Sequence, residues 1–149
     1  MKINEAAQTY WDEYWSGEEK PILVTSGMFG DTPNELAQLV IDGVKTATCS
    51  GYVFYGLENR SLPTTVDYFI ILNNEEQPVA IIKTVEVSLV PMDEVSEEFA
   101  IAEGDGSYEN WKSIHERFFK SELQKIGLEF SKDMLLVCER FKLIDVKKK

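Results

Sequence analysis

Two apolar runs separated by a short polar turn set the strongest limit on what this chain can fold into. Val66 to Leu72 and Val79 to Leu89 are rich in β-branched and aromatic residues, as strands are. Asn73 to Gln77 between them reads as a hairpin loop, with Pro78 at its edge. A strand with one wet face alternates apolar and polar residues. These runs scarcely alternate, so both of their faces must be covered. Lys45 to Tyr52, rich in Thr and small residues, and Met134 to about Val146 complete the strand-like sequence.

Helices are written around these runs. Ala6, Ala7, Tyr10, Trp11, Tyr14 and Trp15 recur at helical spacing and predict an N-terminal helix ending near Gly17. Its aromatic stripe reads as core packing rather than a base-stacking platform. A second helix is sharply punctuated. Thr32 is a good N-cap, Pro33 suits the first helical position, and Glu35 would complete a capping box. Leu36, Leu39 and Val40 form its buried face, and Gly43 is placed to end it with a left-handed residue. A short helix is expected over Val95 to Ala102, then the loop Glu103-Gly104-Asp105-Gly106-Ser107. Ser107 caps a longer helix whose Trp111, Ile114, His115, Phe118, Phe119 and Leu123 share a face. Helices, strands, helices, strand is the order of an α+β fold rather than a βαβ design.

At 149 residues the chain has the size of one domain, expected to span residues 1–149, and it shows no repeat or linker. No apolar run is long enough to cross a bilayer. Glu5, Asp12 and Glu13 stand where a signal peptide would be basic and then apolar, so a cytoplasmic location is expected. The net charge of −11 argues against loose, sequence-independent binding to nucleic acid, and no DNA or membrane partner is expected. Any RNA contact would be local. The Lys147-Lys148-Lys149 tail reads as a solubilising end. Cys49 and Cys138 form neither a zinc set nor a disulfide framework, and read as reduced thiols. Glu103, Asp105 and Glu109 are acidic but lack the ligand spacing of a calcium-binding hand. Neither a metal nor a cofactor is expected, and the oligomeric state is left open.

The segment Gly43-Val44-Lys45-Thr46-Ala47-Thr48 places a cation and two hydroxyls where a helix gives way to a strand. Element ends are where a scaffold presents polar groups to a ligand. In a strand Thr46 and Thr48 share one face and Lys45 starts on the other, though its long stem can reach round. On these residues alone, a solvated lysine followed by ordinary strand threonines is the plainer reading. Tyr52 and Tyr55 could line a cleft and stack on a base, and packing in the core or at the rim fits them equally.

A longer ordered set narrows this. Gly43-x-Lys45-x-x-Thr48 stands after Phe29-Gly30-Asp31 and runs on through Thr46-Ala47-Thr48-Cys49-Ser50. Phe99-Ala100-x-x-Glu103-Gly104, Trp111-x-x-x-His115-x-x-Phe118-Phe119 and Val137-Cys138-Glu139-x-Phe141 follow. The set covers nearly the whole chain and resembles the ASCH family, in its bacterial subgroup of about this length. The resemblance implies a small PUA-like β-barrel flanked by helices, with a cleft between them. It implies binding of RNA or RNA-derived groups. Some members are hydrolases that deacylate an acetylated cytidine or cleave RNA. Matched by position, Lys45, Thr48 and Glu103 would be catalytic. Thr46, Ser50, Tyr52, Asp105, Trp111 and His115 would contribute to the ligand pocket. The loop Glu103-Gly104-Asp105-Gly106 is shorter than the Glu-Gly-Glu-Gly-Asp of the pattern, which makes Asp105 the alternative to Glu103.

For amide hydrolysis Thr48 would be the nucleophile and Lys45 the base, with Glu103 orienting an exocyclic amine or stabilising the lysine. Lysine ordinarily titrates at about 10.4, and acting as a base near neutrality costs about 4 kcal/mol of differential stabilisation. A neighbouring carboxylate favours the ammonium instead. A Lys45 firmly paired with Glu103 is therefore better cast as a cation that binds a carbonyl or phosphate. His115, the sole histidine, sits among aromatic residues, and the simpler reading is a half-buried side chain with one hydrogen-bond partner. Three functions remain: a pocket for RNA or a modified nucleoside, a hydrolase on that pocket, or an adaptor without a small ligand. The pocket is the expectation taken forward, with catalysis open.

Overall fold

The computed structural model describes residues 3–21, 24–29 and 32–148, so Gly30 and Asp31 of the motif before the second helix lie outside it. The elements in order are α1 (Glu5–Trp15), β1 (Val24–Gly27), α2 (Pro33–Ile41), β2 (Ala47–Gly51), α3 (Tyr52–Leu57), β3 (Tyr68–Leu72), β4 (Pro78–Pro91), α4 (Glu97–Ala102), α5 (Tyr108–Lys125) and β5 (Leu135–Val146). The strands form one sheet in the order β1-β3-β4-β5-β2. β1 runs parallel to β3, and the other neighbours are antiparallel.

The α+β class holds, but the expected barrel is not closed. Among the described residues β1 and β2 are free edges of an open sheet. β2 stops at Gly51 because the chain turns there directly into α3, leaving no strand to reach β1. For the same reason Tyr52 is not the end of a strand, as the sequence suggested, but the first residue of a helix.

Covering of both sheet faces accounts for the unbroken apolar runs. Ile70 and Leu72 of β3, with Ile81 of β4, pack against Ala7, Tyr10 and Trp11 of α1. Ile71, with Ala80 and Ile82, packs against Ala37 and Val40 of α2 on the other face. The Tyr10 hydroxyl donates to Asp145 Oδ2 at 2.8 Å and pins α1 to β5. At the other end of the sheet, Ala47 of β2 and Leu136 and Cys138 of β5 meet Phe99 and Ala100 of α4 and Trp111 and Phe119 of α5. Residues alternate along β5, so Glu139 and Phe141 face away from α4 and α5. Phe141 accordingly joins the α2 cluster.

The helix signals hold with exceptions. Gly43 is left-handed (φ 77°) just past α2, and Ser107 accepts from the Asn110 N–H at 3.1 Å. Thr32 precedes α2 but makes no side-chain capping bond, so the capping box with Glu35 does not form. α4 starts after Ser96, whose hydroxyl accepts from the Phe99 N–H, and not at Val95. Ile114 is exposed rather than part of the buried face of α5.

The β2–α3 corner generates a test. A Cβ on Gly51 would stand 2.8 Å from two ring carbons of Phe54 and 3.2 Å from Met134 Cε. Gly51→Ala is expected to cost about 1–3 kcal/mol through overpacking. Urea denaturation checks this, and an unchanged midpoint would show that the corner is loose.

Candidate functional site

The turn after α2 carries Lys45 into the protein. With Gly43 left-handed, the N–H groups of Val44 and Lys45 both return to the Leu39 carbonyl, at 2.9 and 3.0 Å. The side chain is thereby drawn inward, and only 4% of Lys45 is exposed. Its ammonium donates to the Ala47 carbonyl at 2.8 Å, the Glu103 carbonyl at 3.2 Å and Glu103 Oε1 at 3.4 Å. The Phe29 ring lies 5.6 Å from the same nitrogen.

Glu103 ends α4 and is 2% exposed. Gly104 follows with φ 92°, and a Cβ there would come within 3.3 Å of Lys45 Cβ and 3.4 Å of Leu39 Cδ1. A glycine is needed at this point both for its backbone conformation and for the close approach of loop to lysine. Trp111 Nε1 donates to Glu103 Oε2 at 2.6 Å, and His115 Nε2 lies 3.4 Å from Oε1. The His115 ring stacks on Trp111 at 4.6 Å between centroids. His115 Nδ1 donates to the Trp111 carbonyl at 2.8 Å, and Asp105 Oδ2 lies 3.8 Å from that nitrogen.

These contacts set the charges. Burial alone would raise the Glu103 carboxyl, but the hydrogen bond from His115 and the charges of Lys45 and His115 overcome it and hold it at about 2. Burial alone would lower His115, but its hydrogen bond to Glu103 and that carboxylate's charge raise it above the ordinary histidine value. The cause is visible in the geometry. Nδ1 must carry its proton to reach the carbonyl, so a neutral ring would turn a bare Nε2 toward the carboxylate. Burial, with a smaller contribution from His115 opposing it and Glu103 adding to it, raises Asp105.

Cys49 joins this group. Its Sγ, a Glu103 oxygen and a His115 nitrogen all lie within 4.8 Å of one another, which is a set of atoms that could hold a metal. Lys45 already supplies a cation to the same carboxylate, and a divalent ion added there would face its charge. Burial, then the Glu103 charge, push the Cys49 thiol well up, and the same causes push Cys138 up to about 12. Neither thiol has the low-pKa setting of a nucleophile.

The remaining expected residues lie elsewhere. Thr46 acts through its backbone. Its N–H donates to the Ala102 carbonyl at 2.7 Å, and its carbonyl accepts from the Phe141 N–H at 3.0 Å. Its side chain is exposed. Thr48 and Ser50 alternate with Ala47 and Cys49, which puts them on the face of β2 turned away from Glu103. Ser50 Oγ is 2.7 Å from the Tyr55 hydroxyl. Tyr52 is exposed and lines a hollow of about 260 Å³ with Tyr55, Arg60 and Leu62. The Arg60 guanidinium stacks over the Tyr55 ring at 4.5 Å. The structure thus gathers Lys45, Glu103, Asp105, Trp111 and His115 into one buried network and puts Thr48 and Ser50 on the opposite face. The sequence reading missed Cys49 as a member of the network, and Arg60 and Glu139 on the other side. Strand parity alone would have assigned Cys49 to the side of Lys45.

Glu103→Ala leaves a buried ammonium unpaired and is expected to cost about 3–5 kcal/mol, whereas replacing Lys45 and Glu103 together by Met and Leu costs far less. Thermal or urea unfolding of both variants checks this, and equal losses would refute it. The pH profile has two limbs. The lowered Glu103 contributes fully above its ordinary 4.5 and is lost as pH falls toward 2. The raised His115 contributes fully below its ordinary 6.5 and is lost as pH rises through its folded value. Stability from this network is therefore greatest between 4.5 and 6.5, and His115→Gln should flatten the loss that sets in as pH rises above 6.5.

No curated protein matches the chain. Among solved structures, protein EF3133 of Enterococcus faecalis, assigned to the family model DUF984, is 42% identical with a TM-score of 0.89, over 95% of this chain and 90% of that one. An ASCH domain from Lactobacillus crispatus is 30% identical with a TM-score of 0.89, over 96% of each chain. The family model for the ASCH domain matches residues 25–145. The chain belongs to the ASCH domain family.

Proposed function

We propose that this chain is a binding module for an RNA end or a nucleoside-like ligand, held between the Thr48–Ser50 face of β2 and the aromatic wall of α3. The observation that carries this reading is the Ser50–Tyr55 contact at 2.7 Å, which joins the polar strand face to the hollow lined by Tyr52, Tyr55 and Arg60. The exposed Tyr52 ring can stack on a base of any sequence, Tyr55 being buried, and the Arg60 guanidinium nearby adds attraction for a base or a phosphate. The hydroxyls of Thr48 and Ser50, on the adjoining face of β2 rather than in the lining of the hollow, supply hydrogen bonds to a ribose or a base edge. The net charge of −11 fits a compact ligand better than a long phosphate backbone.

Membership of the ASCH family supports a pocket but does not choose between binding and hydrolysis. The lysine does bear on that choice. Lys45 directs its three N–H donors at three protein oxygens, so none is left to aim at a substrate. A hydrolytic role for Lys45 as base would need this network to open first. Binding is the reading that needs no rearrangement.

A thermal-shift and turnover screen tests the proposal, with modified nucleosides and short RNAs applied to wild type, Lys45→Ala and Tyr52→Ala. Tyr52 is exposed, so its loss should leave the fold intact. A ligand that stabilises wild type should bind Tyr52→Ala about 1–3 kcal/mol more weakly, the contribution of one stacked base. No shift across the panel would end the reading. Cleavage of an acylated cytidine or of RNA by wild type, lost in Lys45→Ala, would replace it with a hydrolase.

A further inference from the structure

We infer that the carboxyl meeting the ligand in this pocket is Glu139, beside Thr48 and Ser50, and not Glu103. The inference rests on the binding reading above and concerns the same pocket.

Register places the two groups together. Thr48 of β2 and Glu139 of β5 are direct partners in the antiparallel ladder, as Cys49 and Cys138 are. Side chains at directly opposed positions share a face, with Cβ atoms about 4.5–5.5 Å apart. Cys138 packs into the α4–α5 cluster, so Glu139 and Thr48 point to the other side. The Thr84 hydroxyl of β4 donates to Glu139 Oε1 at 3.1 Å, which confirms that direction.

The two glutamates differ in what they have left to offer. Glu103 is 2% exposed, with Oε1 beside Lys45 and His115 and Oε2 bonded to Trp111. A ligand could reach it only by dismantling the network. Glu139 is partly exposed, and Oε2 has no hydrogen-bond partner among the described residues. The groups around it are Thr84 of β4, Thr48 of β2, Tyr55 of α3 and Asp67 just before β3. Burial first, then the Asp67 charge, raise its carboxyl above the ordinary glutamate value, while the bond from Thr84 opposes this. Oε2 of Glu139, unpartnered among the described residues, can accept from the amine of a base edge or from a ribose hydroxyl.

Two measurements decide the matter. The first is titration calorimetry of the nucleoside that stabilises wild type, repeated on Glu139→Gln, Thr48→Val and Glu103→Gln. The amide of Glu139→Gln can keep the Thr84 bond, and a circular dichroism melt verifies its fold. Glu139→Gln and Thr48→Val should each weaken binding, Glu139→Gln by at least about tenfold, with folded Glu103→Gln close to wild type. Wild-type affinity in Glu139→Gln overturns the inference. The second needs no ligand: carbon NMR of the glutamate carboxyls with proton NMR of the His115 ring. Thr48→Val should move the titration of Glu139 and leave His115 in place. An unmoved Glu139, or a shift of His115 instead, overturns the inference. If no nucleoside binds wild type, the binding reading has failed by itself, and this second measurement still decides whether Thr48 and Glu139 act together.

Discussion

The pairing of Lys45 with Glu103 is the constraint on which the rest of the site depends. It ties the end of α2, the start of β2, the end of α4 and, through Trp111 and His115, the first turns of α5 to one point. A buried ion pair adds little net stability over an apolar cluster of the same volume, because both charges must leave water. What it adds is direction. Each donor and acceptor has one place to be, and apolar residues would allow several packings. Gly104 shows how closely the surroundings are fitted to the pair, since any side chain there would press on the lysine stem.

Much of this could be read before the structure. The β3–β4 hairpin was legible because two uninterrupted apolar runs require cover on both faces, and α1 and α2 supply it. The end of α2 was legible because Gly43 can be left-handed at little cost. β1 was not legible: Val24-Thr25-Ser26-Gly27 has neither length nor alternation, and becomes a strand only because β3 offers an edge. α3 was hidden because Tyr52 to Leu57 carries aromatic residues that suit a strand equally well. The buried network was half legible. His115 does have its half-buried setting and its carbonyl partner, but its second contact, to Glu103, comes from tertiary packing that no local pattern encodes.

β2 divides two chemical settings. One side faces a closed set of charges whose members satisfy one another. The other carries hydroxyls that continue to Tyr55 and to the neighbourhood of Glu139. The strand alternates every residue, so groups one position apart in sequence belong to different environments. A motif written along such a strand gathers residues that serve two tasks. That is why Lys45 and Thr48, three positions apart, need not work on the same atom.

The sheet order has a consequence for how the molecule is made. β5 is synthesised after every other element described, yet it lies between β4 and β2. Until it emerges, β2 has no strand to pair with and the far side of β4 is unpaired. The nascent chain can form its hairpin and helices early, but the sheet cannot be completed while the ribosome still holds β5. For that interval the exposed edge of β4 is a template for association with other chains, and the abundance of acidic side chains is the solubilising counterweight the chain carries.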